Sequence, residues 1–197
     1  MSLKVSGKRW KVMVAVPAVV AMAAFGVKAS EAPTPAQGTV AKTDMVKRGE
    51  YLVNAMGCND CHTPMKMGAN GPEYDTARYL SGHQETEKLP PAPEPSGPWM
   101  VSVSISGTAW SGPWGVSYTQ NITPDQETGI GAYTEAQFVQ TIREGKKQGR
   151  GREILPPMPW PAFKNLSDDD LKSIYAFLRT VKPIKNKVPE PVIKPVK

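Results

Sequence analysis

Cys58-Asn59-Asp60-Cys61-His62 decides how the rest of this 197-residue chain is read. Cys-x-x-Cys-His is the haem-attachment pattern. Two thioether bonds must reach two vinyl groups on neighbouring pyrroles, and a two-residue gap at the start of a helical turn sets the sulfurs a suitable distance apart. His62 follows at once and can offer its imidazole to the iron from one face. The competing readings fit less well. A thioredoxin-like redox pair expects a strand before it and a long helix after it, whereas here a helical pattern precedes and Thr63-Pro64 follows. A zinc site needs about four ligands, and beyond this cluster only His83 could add one. A plain disulfide between the chain's two cysteines leaves His62 without a role.

Haem iron of this type takes histidine on one side and often methionine on the other. Met65 and Met67 follow His62 too closely to round the porphyrin edge at no more than ~3.6 Å per residue. Met45 and Met56 belong to the helix leading into the motif. Met100, Met158 and His83 remain. Met158 has the best setting, in Leu155-Pro156-Pro157-Met158-Pro159-Trp160-Pro161. Prolines fix φ and remove donors, so the stretch is a stiff strap able to hold a weak thioether ligand. A gap-filling core methionine is the plainer alternative.

Outward from the motif, three helices can be read. The first spans about Asp44 to Met56, capped by Asp44 and ended by Gly57. Gly49 in its middle costs about 1 kcal/mol against alanine and so points to another helix packing closely there. The second starts at Thr134 with Gln137 at the capping-box position, carries Phe138 and Ile142 on one face, and ends at Gly145. The third starts at Ser167, with Asp170 expected to complete a second capping box. It carries Leu171, Ile174, Tyr175, Leu178 and Val181 at helical spacing, and Pro183 closes it.

Between Pro64 and Thr134 the pattern changes. Leu89 to Pro98 is proline-rich and reads as an exposed loop. Val101, Val103 and Ile105 alternate with serines and suggest a short strand, with Ser106 to Tyr118 as its hairpin partner. Trp110 and Trp114 are candidates to wall the haem edge or to hydrogen-bond a propionate through the indole N–H, with satellite core as the alternative. His83 reads as a surface loop residue. The tail, residues 184–197, is basic, proline-containing, extended and expected to be solvated.

Charge excludes one class of partner. The net charge is +6, but Lys4, Lys8, Arg9, Lys11 and Lys28 all lie in the first 29 residues, which hold no acidic residue. The remainder is close to neutral, and it shows no clustered basic groove for nucleic acid. Basic residues followed by an apolar run from Val12 to Val27 read as an export signal over residues 1–29. An uncleaved membrane anchor is the alternative, although the run is shorter than the ~20 residues that span a bilayer comfortably. Residues 30–43 read as a linker, and 44–183 as the domain.

In order, the Gly49-x-Tyr51 helix, the Cys58-x-x-Cys61-His62 motif, the methionine strap and the C-terminal helix with Tyr175 and Leu178 resemble the class I c-type cytochromes, over roughly Met45 to Pro189. Asn121-Ile122-Thr123-Pro124-Asp125, Thr128-Gly129-Ile130-Gly131, and Pro157-Met158-Pro159 followed by Leu166-Ser167-Asp168 are similar to bacterial periplasmic cytochrome domains associated with dehydrogenases. The resemblance implies a mainly α cytochrome c fold, three or more helices around one haem c, here with a loop/β-hairpin insertion at about 73–120. It implies His62 and Met158 as iron ligands, Asn121 among the cofactor-binding residues, and Gly49 packed against the Tyr175 helix. A family Gly-Pro after the motif gives a carbonyl to the histidine ring; Gly71-Pro72 is the match here, which makes Pro72 that partner.

With both axial positions taken the iron has no site for substrate. The expectation is therefore an electron carrier, not an enzyme. It would sit in the periplasm between a dehydrogenase or quinol-oxidising donor and an oxidase or reductase acceptor, touching membrane only if the N-terminal segment is uncleaved. The alternative is a haem enzyme or sensor with a displaceable sixth ligand.

Overall fold

Helix α1 runs from Lys42 to Ala55 in the computed structural model, which describes residues 41–94 and 97–194. The expected export signal and most of the expected linker lie outside the described residues. The helix begins two residues earlier than Asp44. Its N-cap is Ala41, and Asp44 sits in the first turn, where its charge favours the positive helix end.

Helix α5 (Asp168–Leu178) crosses α1 closely. The reason is Gly49: a Cβ there would lie 1.9 Å from the Ser173 carbonyl oxygen and 2.8 Å from the Phe177 Cβ. Leu52 and Val53 of α1 and Leu171, Ile174, Phe177 and Leu178 of α5 are buried in one apolar cluster. Helix α3 (Glu135–Glu144) adds Phe138 and Ile142 to it. Its capping box is complete, with Thr134 and Gln137 bonding reciprocally, and Gly145 ends it in the left-handed region. The second box is only half formed. Ser167 accepts from the Asp170 N–H, but the Asp170 carboxylate bonds Arg48 of α1 at 2.9 Å instead of reaching back. Helix α5 also stops well before Pro183, which leaves Val181 in the segment beyond it.

Two further helices are short: α2 (Cys58–His62) and α4 (Trp160–Phe163). Strands β1 (Met65–Gly68) and β2 (Gly71–Tyr74) form an antiparallel hairpin. Strands β3 (Ser102–Val103), β4 (Ala109–Gly112), β5 (Gly115–Tyr118) and β6 (Val192–Ile193) form a second antiparallel sheet in that order. The domain is thus mixed helix and strand rather than mainly α. The alternation at Val101, Val103 and Ile105 does mark a strand, but all three side chains are exposed, because β3 is the sheet edge and β4–β5 make the central hairpin.

The tail departs most from expectation. It is extended, but it is not simply solvated. Val192 and Ile193 add a strand to β5, and Asn186 is 3% exposed. No helix among the described residues is long and apolar enough to cross a membrane.

Candidate functional site

Helix α1 delivers the chain to the motif through Met56 and Gly57, the latter in the left-handed conformation that lets α2 start at once in a new direction. Cys58, Cys61 and His62 all lie on α2. The two thiols are unbridged and half-buried. Burial pushes the Cys58 thiol up to about 11, and burial also raises that of Cys61. Both are neutral thiols at neutral pH. A thiol–disulfide exchange pair shows the opposite, a thiol lowered towards thiolate. Among the described residues no three His, Cys, Asp or Glu side chains form a metal-holding cluster, so the zinc reading lacks its ligands.

The His62 ring is buried, and its Nδ1 lies 2.7 Å from the Gln120 carbonyl oxygen. A carbonyl only accepts, so Nδ1 carries the proton and Nε2 keeps its lone pair. Burial lowers the imidazole pKa, and the Gln120 bond opposes that only in part. The ring is therefore neutral and oriented, with Nε2 able to serve as a metal ligand. Gln120 takes the place expected of Pro72. Gly71-Pro72 is used instead to open β2, where Pro72 is exposed and faces Met67 across the hairpin.

Close backbone approach brings Gln120 to His62. The Gly82 N–H donates to the His62 carbonyl at 2.8 Å, and the His83 N–H donates to Thr119 at 2.9 Å. Gly82 has φ +73°, and a Cβ on it would lie 2.4 Å from the Thr119 oxygen and 2.7 Å from that of Gln120. Only glycine allows both the conformation and the contact. Next to it Leu80 is wholly buried at φ 60°, a costly conformation for leucine. Its N–H donates to the Thr63 hydroxyl and its carbonyl accepts from Ile122, both at 3.0 Å.

His83 is not a surface residue. It is 1% exposed, its Nδ1 lies 2.9 Å from the Thr108 hydroxyl, and its ring is tilted against Tyr118. Asn121 is likewise buried, but its amide is consumed by protein. It donates to Ile184 O and Thr128 Oγ1 and accepts from the Thr123 N–H and hydroxyl. Its role is to shape the loop that carries Gln120. Sequence reasoning missed Gln120, Gly82, Thr63 and Asn186. Gln120 acts through its carbonyl, which every residue type has, so no residue signal could have marked it. The Ser81-Gly82-His83 turn could have been noticed.

Met158 is half-buried and packs on the same apolar cluster as Cys58, Met56 and Tyr79. Met100, the rival methionine, is 57% exposed. The strap is anchored where the Ser117 hydroxyl donates to the Pro156 carbonyl at 2.5 Å. Trp114 Nε1 donates to that same Ser117 oxygen at 3.2 Å, so its N–H serves the strap and is not reserved for a propionate. Trp110 differs. Its Nε1 is buried with no partner among the described residues, a donor of the kind a bound polar group would satisfy. Two neutral thiols on one short helix with a buried histidine whose Nε2 has no hydrogen-bond partner among the described residues fit a covalent haem.

A cytochrome c family model matches residues 46–182. The chain is 33% identical over 149 residues to the cytochrome c subunit of a quinone alcohol dehydrogenase of Gluconobacter oxydans (strain 621H), covering 74% of this chain and 24% of that protein. It is 34% identical over 153 residues to the fructose dehydrogenase cytochrome subunit of Gluconobacter japonicus, covering 77% and 24%. It is 32% identical over 141 residues to the gluconate 2-dehydrogenase cytochrome c subunit of Pantoea cypripedii, covering 71% and 24%. The matched region therefore spans about a quarter of the length of these relatives.

Proposed function

The chain belongs to the cytochrome c family and carries covalent haem c, and from that premise we propose that it is a single-haem electron carrier with His62 and Met158 as axial ligands. Bound haem supplies reversible one-electron exchange. The chain's own residues do the rest. Cys58 and Cys61 tether the group, and the Gln120 carbonyl orients His62 and raises its basicity. The apolar cluster shared by Cys58 and Met158 keeps water out, and Trp110 offers its unpartnered N–H to a propionate. The observation that carries the reading is the buried His62 ring, protonated at Nδ1 with Nε2 free.

The partner we assign is a dehydrogenase, as the names of the relatives suggest. The N-terminal sequence supports export to the periplasm, where such a pair would meet. The docking surface is the exposed apolar run around β3. Trp99 is 81% exposed, and Met100, Val101, Val103 and Ile105 are all exposed beside the proline-rich loop.

The ligand pair is tested by Met158→Ala. The oxidised wild type is expected to show a thioether–iron charge-transfer band and, when reduced, not to bind carbon monoxide. The variant loses the band, binds carbon monoxide and has a lower reduction potential. A band that survives the substitution removes Met158 as the ligand. Carbon monoxide binding by the wild type would favour a sensor or enzyme with a displaceable ligand.

A further inference from the structure

We propose that Asn186, in the C-terminal tail, is a positioning residue for His62, clamping the two loops that hold its ring; this rests on the reading of His62 as the iron ligand. One loop, Ser81 to Gln84, bonds the His62 backbone through Gly82. The other, Thr119 to Thr123, presents the Gln120 carbonyl to Nδ1. The two are joined directly by the His83 N–H to Thr119 bond.

Asn186 ties both from outside. Its Nδ2 donates to the Ser81 and His83 carbonyls, each at 2.8 Å, and its Oδ1 accepts from the Glu85 N–H at 3.0 Å. Its backbone N–H donates to Thr128 Oγ1 at 3.0 Å, and its carbonyl accepts from Asn121 Nδ2 at 3.4 Å. Asn121 also holds the tail at the Ile184 carbonyl. Both amide protons and the amide oxygen of Asn186 are thus used at a site 3% exposed. The chemistry is specific to an amide. An aspartate would set a carboxylate against two carbonyls, and an alanine would leave the buried Ser81 and His83 carbonyls and the Glu85 N–H without this partner. A tail that merely covered apolar surface would need no such residue, and Val192 and Ile193 remain exposed beyond it.

The consequence reaches the ring through Gln120. A firm Nδ1–H to carbonyl bond makes the imidazole a more basic ligand and favours the oxidised metal. Loosening the clamp weakens that bond and raises the reduction potential.

The test uses the haem-loaded full chain. Two quantities are read: hydrogen exchange of the His62 Nδ1 proton by NMR in the reduced protein, and the reduction potential. Asn186→Ala is expected to speed that exchange about tenfold or more, a factor equivalent to ~1.4 kcal/mol of easier opening, and to raise the potential. Thr128→Val, which removes the acceptor of the Asn186 N–H, is expected to move both in the same direction by less. It carries the test if Asn186→Ala does not accumulate. Glu190→Ala, which removes a tail ion pair with Arg152 at the surface, should change neither. A destabilised Asn186→Ala protein with unchanged ring-proton exchange and potential overturns the proposal and leaves Asn186 a tail anchor only. Wild-type His62 resonances unlike those of a metal-bound imidazole overturn the ligand reading itself, a separate result.

Discussion

The α1–α5 seam and the loops behind His62 lie in one domain but are held by different physics. At the seam, Gly49 meets the Ser173 carbonyl, and Leu52, Val53, Ile174, Phe177 and Leu178 fill the space around it. Behind His62 the buried residues, Leu80 apart, are mostly polar: Thr63, Ser81, His83, Gln84, Thr108, Asn121, Thr123 and Asn186. Close packing resists added volume. A buried polar network resists the loss of any partner, because each orphaned group bears its full desolvation cost. The seam therefore positions α2 by shape, and the loops position the His62 ring by hydrogen bonds.

The largest effect expected from this contrast is at the seam. Gly49→Ala puts a methyl 1.9 Å from a backbone oxygen that cannot rotate away. The two helices must separate, at a cost of about 3 kcal/mol or more. Denaturant unfolding followed by circular dichroism measures it; a loss under about 1 kcal/mol would mean the helices slide freely and the seam does not fix α2. Asn121→Ala comes next. It adds no volume but strands the Thr123 N–H and leaves the Ile184 carbonyl with only the longer bond from the Thr123 hydroxyl, which costs about 2 kcal/mol. Unlike Gly49→Ala, it should also speed exchange of the His62 ring proton. If the two variants disturb that proton equally, the division between shape and hydrogen bonding fails.

The two regions were also unequally legible in the sequence. The seam follows from local rules: helical spacing of Leu171, Ile174 and Leu178, a glycine where a helix should avoid one, and the Thr134/Gln137 box. Each signal lies within a few residues of what it specifies. The loop network does not. Asn186 reaches Ser81 and His83 across more than half the described chain, and Gln120 acts through its backbone. A basic, proline-containing tail looks solvated until β5 offers it an edge to pair with. The attachment motif was legible because its chemistry fixes residue types at fixed spacing. The histidine's partner was not, because any carbonyl will serve. The expected Pro72 was an inference from resemblance, and here that Gly-Pro is spent on a hairpin.

The smallest effect separates the regions by pH. His83 is buried against Thr108 and Tyr118, with the Glu87 carboxylate 3.6 Å away. Burial holds its pKa below the usual 6.5, and Glu87 opposes this only in part. The unfolded chain therefore binds a proton more readily than the folded one. The stability gained from a neutral His83 is complete above about pH 6.5 and is lost as pH falls from there through the lower folded pKa. The seam is filled by Leu52, Val53, Ile174, Phe177 and Leu178, side chains with no titratable group. Midpoints of denaturant unfolding of the haem-loaded protein should thus fall on acidification from neutral pH towards 5. That slope should shrink in His83→Asn, which can still bond the Thr108 hydroxyl, while the share owed to the buried His62 remains. Gly49→Ala should lower every midpoint and keep the wild-type slope. A slope undiminished in His83→Asn would take the acid sensitivity away from His83 and erase its part in the contrast.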